Sequence, residues 1–374
     1  MNIGITCYPT YGGSGVVAAE LGIELAKRGH CVHFISYGLP FRLNSFYKNV
    51  FFHEVEVLDY PLFKYPPYSL SLSAKMAEVI KSERLDILHV HYAMPHAASA
   101  YLAQKIVGKG RIKFITTLHG TDITLVGKHC SFYEITKFSI ENSDGVTCVS
   151  KYLKKATKDI FNVTKEMEII YNFVDTEKYR RTKKNKEGIK FVDKDDMVVT
   201  HISNFRLVKN IDNIIKIFFK ISKEVKSKLL LAGDGPQIYE CRNLVARLQL
   251  QGKVFFLGRQ EDIIPLLNVS DLYMLPSKSE SFGLSALEAL SCEVPVIGTN
   301  IGGLKEVVAN GICGYLHNPD DIDAMSGSAI EILGNKDLRN KMGFEARKRA
   351  KLFDSKIIVP KYIEYYIEVL NKYS

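Results

Sequence analysis

Glu280 and Glu288 stand eight positions apart in the run Glu280-Ser281-Phe282-Gly283-Leu284-Ser285-Ala286-Leu287-Glu288. Between them a Ser-Phe-Gly turn opens into an apolar, helix-forming stretch. A helix start presents free backbone N–H groups and the positive end of the peptide dipole, which suits a phosphate. The spacing puts Glu280 just before that anion site and Glu288 about two turns into the helix, on roughly the same side as its start. Carboxylates accept hydrogen bonds from hydroxyls. The arrangement therefore suits a ligand with a diphosphate in its middle and hydroxyls at both ends, as in a nucleotide sugar. The alternative is a surface turn with two solvated acids.

Other stretches carry candidate chemistry. Gly12-Gly13-Ser14-Gly15-Val16-Val17 follows an apolar run and opens a helix, and its glycines let a backbone approach a ligand closely. It is not a dinucleotide fingerprint: position 18 is Ala, and no acid ends the second apolar run, Val32-His33-Phe34-Ile35-Ser36. A tight strand-to-helix turn explains it equally well. Thr116-Thr117-Leu118-His119-Gly120-Thr121-Asp122 ends another strand, with His119 over its end and Thr121 or Asp122 able to cap a helix. His89 and His91 share a strand face; with His96 they suggest zinc only weakly, because no acid or Cys ligand spacing accompanies them. Gly233-Asp234-Gly235-Pro236 is a tight loop into a helix with Pro in its first turn. Leu257-Gly258-Arg259-Gln260 ends a further strand, where backbone groups can read a base edge.

The elements that must position these residues alternate. Apolar strands and amphipathic helices follow one another throughout, which indicates α/β with parallel sheets. The first half reads as strands at 2–7, 31–37, 87–91, 112–118, 145–149 and 167–170, with an irregular aromatic stretch at 38–68. After a charged segment the pattern restarts at 197–202 and continues through strands at 228–232, 253–257, 271–275 and 294–298. Two doubly wound, Rossmann-like domains result, 1–172 and 173–354. A hinge is expected at 172–175, and the last segment, 355–374, reads as a terminal helix. Ligands of such sheets bind beyond the carboxyl ends of the strands.

A length of 374 residues suits two domains with their own cores. No apolar run approaches the roughly 18 residues of a membrane span. The N-terminus reads as a strand rather than a leader, so a cytoplasmic location without stable membrane insertion is expected. The seven cysteines are scattered, with no C-x-x-C pair, and read as reduced thiols. The net charge of +9 is moderate. Its densest runs, Lys183-Lys184-Asn185-Lys186 and Arg347-Lys348-Arg349, lack interleaved aromatics and read as solvated faces, which argues against nucleic-acid binding.

The Glu280–Glu288 run resembles the E-x-F-G-x-x-x-x-E signature of retaining family 4 glycosyltransferases of the GT-B fold. The resemblance extends over nearly the whole chain. It includes Gly4-Ile5-Thr6-Cys7-Tyr8-Pro9, Gly38-Leu39-Pro40-Phe41-Arg42-Leu43-Asn44, Tyr65-Pro66-Pro67-Tyr68 and His89-Val90-His91-Tyr92-Ala93-Met94-Pro95-His96. It implies two Rossmann-like domains facing across a cleft, 1–172 on the acceptor side and 173–354 holding the nucleotide sugar, with the terminal helix, 355–374, crossing back to the first domain. It further implies Glu280 on the donor sugar, Glu288 on the ribose, and Ser281, Phe282, Gly283 and Leu284 offering N–H groups to the phosphates. His119 would steady the sugar, and Gly15, Gly233 and Gln260 would line the donor site. The family's diphosphate-binding Arg and Lys fall on Asn204 and Lys209, with an arginine displaced by two positions to Arg206.

Within the family the first-domain motifs resemble a subgroup serving bacillithiol biosynthesis, which implies UDP-GlcNAc as donor and L-malate as acceptor. A dianionic acceptor needs cations or clustered donors, which Ser14, Gly15, Arg42, Tyr92, Thr117 and Thr121 supply. No metal or cofactor is expected, and a homodimer is a guess. The rival expectations are transfer to a lipid or polysaccharide, a UDP-GlcNAc 2-epimerase, and a non-enzymatic sugar-nucleotide sensor.

Overall fold

The computed structural model describes residues 1–10, 12–43, 45–108, 110–182 and 191–372; Asn44 and the basic run at 183–186 lie outside them. The chain divides into two compact units: residues 1–172 together with the segment from Lys356 onward, and residues 173–355.

The first unit is built on a seven-stranded sheet. Its strands are β1 (Asn2–Thr6), β2 (Cys31–Ser36), β3 (Val50–Glu54), β4 (Ile87–His91), β5 (Lys113–Leu118), β6 (Gly145–Cys148) and β7 (Glu168–Ile169), in the order β3-β2-β1-β4-β5-β6-β7. Every pairing is parallel. The central strands β1 and β4 are buried almost throughout, as two-face coverage demands. Leu88 and Val90 point to one face, onto helices Tyr68–Ser82 and Ala98–Val107. His89 and His91 point to the other, where the terminal helix Ser355–Asn371 lies. That helix is anchored by its tyrosines. The Tyr366 hydroxyl lies 2.7 Å from His89 Nδ1, and the Tyr365 hydroxyl accepts from the Val146 N–H at 3.0 Å.

The second unit carries β8 (Met197–Ile202), β9 (Ser227–Ala232), β10 (Val254–Gly258), β11 (Leu272–Leu275), β12 (Val296–Thr299) and β13 (Gly314–His317). They form a six-stranded sheet in the order β10-β9-β8-β11-β12-β13, again all parallel. The amphipathic helix Ile211–Glu224 buries Ile214, Ile215, Phe218 and Ile221 against Val199, Leu229 and Leu231. Both sheets reverse their winding beside the first strand, at β1/β4 and at β8/β11. Such a switch point opens a crevice at the strands' carboxyl ends.

Three expectations need correction. The stretch 38–68 is not wholly irregular: Val50–Glu54 pairs with β2 as an edge strand, hidden in the sequence because both faces are half-exposed and no clean alternation shows. The second sheet has one more strand than expected, β13, followed by helices Ile322–Gly334 and Lys336–Lys351. The run at 347–349 is a solvated face at Lys348 alone, because its two arginines turn inward. Arg347 donates to the carbonyl oxygens of Thr176, Tyr179 and Ser291, and Arg349 to those of Glu306 and Val307.

Candidate active site

In the second unit the expected donor residues gather where β8 and β11 end. Beyond β8, Phe205 is fully buried and pins the loop, while its neighbours Asn204 and Arg206 stay exposed. The loop is laced to the one after β9: the Phe205 N–H donates to the Asp234 carbonyl at 2.9 Å, and the Gln237 N–H to the Phe205 carbonyl at 3.1 Å. Gly233 allows this, since a Cβ there would lie 1.8 Å from the Ser203 carbonyl oxygen. A short helical turn, Leu207–Lys209, then delivers Lys209. Its ammonium donates to Glu280 Oε2 at 2.8 Å.

Glu280 itself is held from behind. Its carbonyl accepts from the Gly303 N–H at 2.8 Å. A Cβ on Gly302 would lie 2.0 Å from that same carbonyl oxygen, and one on Gly303 would lie 2.1 Å from the Ser281 carbonyl oxygen. The turn Gly302-Gly303 is therefore the backstop of the Glu280 loop. Gly283 has φ 96° and ends the turn. Helix Leu284–Ser291 starts after it, so its first N–H groups have no preceding helical carbonyls. Phe282 is buried and packs against Phe353 with ring centres 5.8 Å apart. Glu288 is one turn into this helix, not two, and is buried. Gln260 is exposed and folds back to donate to the Leu257 carbonyl at 2.7 Å.

One buried group here escaped the sequence. His201, fully buried on β8, has Nδ1 2.7 Å from the Met274 carbonyl and Nε2 2.6 Å from Ser203 Oγ. Nδ1 must carry the hydrogen, since a carbonyl can only accept; Nε2 then accepts from the Ser203 hydroxyl. Burial pushes this imidazole down to about 4, so it stays neutral.

In the first unit the residues gather where β1, β4 and β5 end. Ser14, at the start of helix Gly13–Lys27, donates to the Tyr92 hydroxyl at 3.1 Å. Tyr92 leaves β4 with φ 88°, strained for a residue with a Cβ, and its N–H is held by the Thr117 carbonyl at 2.9 Å. The His119 ring stands 5.5 Å from that of Tyr92, and its Nε2 lies 2.8 Å from His91 Nδ1. Asp122 fixes the turn: it accepts from the backbone N–H groups of His119 and Gly120 through Oδ1 and of Ala93 through Oδ2. Burial raises its carboxyl to about 6, against the opposing pull of those N–H groups. Burial also drives His89 and His119 down to about 3 and His96 to about 4, so this imidazole cluster is neutral. His91 also has its pKa lowered by burial, and its Nε2 is buried without a partner among the described residues.

One expected acceptor contact is not open. Thr117 is fully buried: its position on β5 turns it into the sheet face, where its Oγ1 lies 2.6 Å from both His89 Nε2 and Thr147 Oγ1. Gly15 is explained by packing, since a Cβ there would meet the Tyr8 and Thr10 carbonyl oxygens at 2.6 and 2.7 Å. Arg42 has φ 78°, and its guanidinium is paired with Glu20 at 3.0 Å. Thr121 opens the short helical turn Thr121–Leu125 beside His119 and is partly exposed.

An anion-ready helix start with a Lys–Glu pair at one switch point, on two Rossmann-like units, defines a GT-B glycosyltransferase. The chain belongs to this family: residues 11–178 match Glycosyltransferase Family 4, and residues 182–349 match Glycosyl transferases group 1. It is 48% identical, over 99% of its own length and 98% of the relative's, to the N-acetyl-alpha-D-glucosaminyl L-malate synthase of Bacillus anthracis. Among solved structures, a sucrose-phosphate synthase from Thermosynechococcus elongatus superposes with a TM-score of 0.81 at 20% identity, covering 99% of both chains. The Anabaena protein HepE, solved with UDP and glucose, gives 0.78 at 19%, covering 98% of this chain and 99% of its own.

Proposed function

We propose that this glycosyltransferase moves N-acetylglucosamine from UDP-GlcNAc to the hydroxyl of L-malate, with retention at the anomeric carbon, as the first step of bacillithiol biosynthesis. The observation that carries the reading is the near-full-length 48% identity with a relative whose name states both the sugar and the acid it joins. Lys209 and the helix start after Gly283 would neutralise the diphosphate as it departs, a task of preorganised charge. Glu280 would orient the sugar hydroxyls, Glu288 the ribose, and His119 the sugar near its reacting carbon. The malate oxygen bonds to the anomeric carbon on the face from which the phosphate oxygen leaves, and the leaving phosphate takes the hydroxyl proton. The protein's share is positioning and charge stabilisation.

On this reading turnover needs no bound metal, and the enzyme works in the cytoplasm. Among the described residues no helix is long and apolar enough to cross a membrane.

Mass spectrometry of products from UDP-GlcNAc, with and without L-malate, tests the reading. A GlcNAc–malate adduct with one UDP per adduct, formed only with malate, is the expected result. Intact UDP-GlcNAc in both tubes overturns the acceptor and sends the search to lipid or sugar acceptors. Epimerised sugar without malate would mark a 2-epimerase instead.

A further inference from the structure

On the sheet face opposite the His89–His91 pair, three side chains converge that the transfer reaction does not use. His33 on β2 and His53 on β3 lie on the same face, because Ile35, two residues after His33, is the partner of His53. Their ring nitrogens, Nδ1 and Nε2, are 3.0 Å apart. Glu83, which caps helix Tyr68–Ser82, brings a carboxylate to the same point. One ligand atom from each of the three lies within 4.8 Å of the others.

We infer that His33, His53 and Glu83 form a binding site for a single divalent d-block cation of the zinc type. Two imidazoles and one carboxylate are a borderline-soft donor set that suits such an ion, with water completing the tetrahedron. Two nitrogens at about 2.05 Å from a tetrahedral zinc stand about 3.3 Å apart. The His33–His53 spacing is within a few tenths of an ångström of that, so ligation needs a small opening rather than a rearrangement. His33 is buried and stacked on Phe51 with ring centres 4.9 Å apart, which fixes its direction. His53 and Glu83 are partly exposed, which leaves an entry path.

The site is separate from the candidate active site. His33 lies level with Leu88 near the start of β4, whereas His91 ends that strand and faces the other way. Among the described residues β3 is an edge strand paired to β2 alone. A cation held by β2, β3 and the helix end would clamp that edge to the sheet, adding stability that grows with the logarithm of free cation over its dissociation constant.

Zinc alone, titrated into chelator-treated protein and followed by calorimetry and by thermal unfolding, tests the site. One equivalent should bind and raise the unfolding temperature. H53Q and E83Q, both at partly exposed positions, should bind about tenfold more weakly or worse while unfolding normally in metal-free buffer. C130S, which removes the exposed thiol beside His129, should bind like the parent. No saturable binding, or binding that H53Q and E83Q leave unchanged, overturns the proposal. So does binding lost in C130S.

Discussion

Lys209 Nζ stands 2.8 Å from Glu280 Oε2, although the two residues are 71 positions apart in the chain. The loops after β8 and β11 bring them together at the switch point of the second sheet. The side chains retain only 22% and 14% exposure, so the pair is partly desolvated. On the proposed reading a diphosphate arriving at Lys209 would compete with Glu280 for the same ammonium, and sugar hydroxyls would then compensate the carboxylate. Each partner should therefore matter more for transfer than for folding. E280A and K209M should each lower kcat by about two to three orders of magnitude. The unfolding free energy should fall by only about 1 kcal/mol, near the surface-pair range. Steady-state kinetics with UDP-GlcNAc, beside denaturant unfolding, reads both. Near-parental turnover in E280A would refute its donor role.

Gly302 is expected to act on Glu280 without touching a ligand. It has φ 61°, and a Cβ would collide with the Glu280 carbonyl oxygen. G302A must therefore displace the loop or strain the turn, at a cost of about 1–3 kcal/mol. The expected signature is a lowered melting temperature together with a lowered kcat. A conserved melting temperature with parental activity would show that the backstop yields freely.

The sequence made the alternation of strands and helices legible because strands buried on both faces read as continuous apolar runs, as in Leu229-Leu230-Leu231-Ala232. It hid β3 and β13, edge strands whose residues are mostly half-exposed. Motif spacing carried Glu280, Lys209 and His119 to strand ends. It could not show that Thr117 turns inward, because a hydroxyl looks the same in a sequence whether it meets solvent or a buried imidazole. Nor could it pair His33 with His53, since that depends on the register of an edge strand the pattern does not announce.

His91 should work through His119. The two rings stack with centres 5.0 Å apart and share a hydrogen bond, while His91 Nε2 is buried with no partner among the described residues. Replacing His91 by Phe keeps the ring volume and removes that orphaned nitrogen, so stability should hold within about 1 kcal/mol. His119 loses the bond that orients it, and kcat should fall about tenfold or more. H91Q, which can still reach His119 with a polar atom, should recover part of the loss. Equal kcat in H91F and the parent would show that His119 needs no orienting partner.

Stability should fall as the solution is acidified from pH 7 to pH 5. Burial holds His89 and His119 at about 3 and His96 and His201 at about 4, below the value near 6.5 that they regain on unfolding. Between those limits the unfolded chain binds more protons than the folded one, so the unfolding free energy rises with pH there. The contribution is complete above about 6.5 and drains away toward 3 to 4. Asp122 works in the opposite sense. Its folded value of about 6 lies above the ordinary 3.8, so the folded chain holds the extra proton between them, and that contribution fades as pH rises through 6. Four imidazoles outweigh one carboxyl, and the net slope from pH 5 to pH 6.5 should be positive. Denaturation midpoints at constant ionic strength across that interval measure it directly. A flat or inverted profile would mean that the buried imidazoles take up protons in the folded chain.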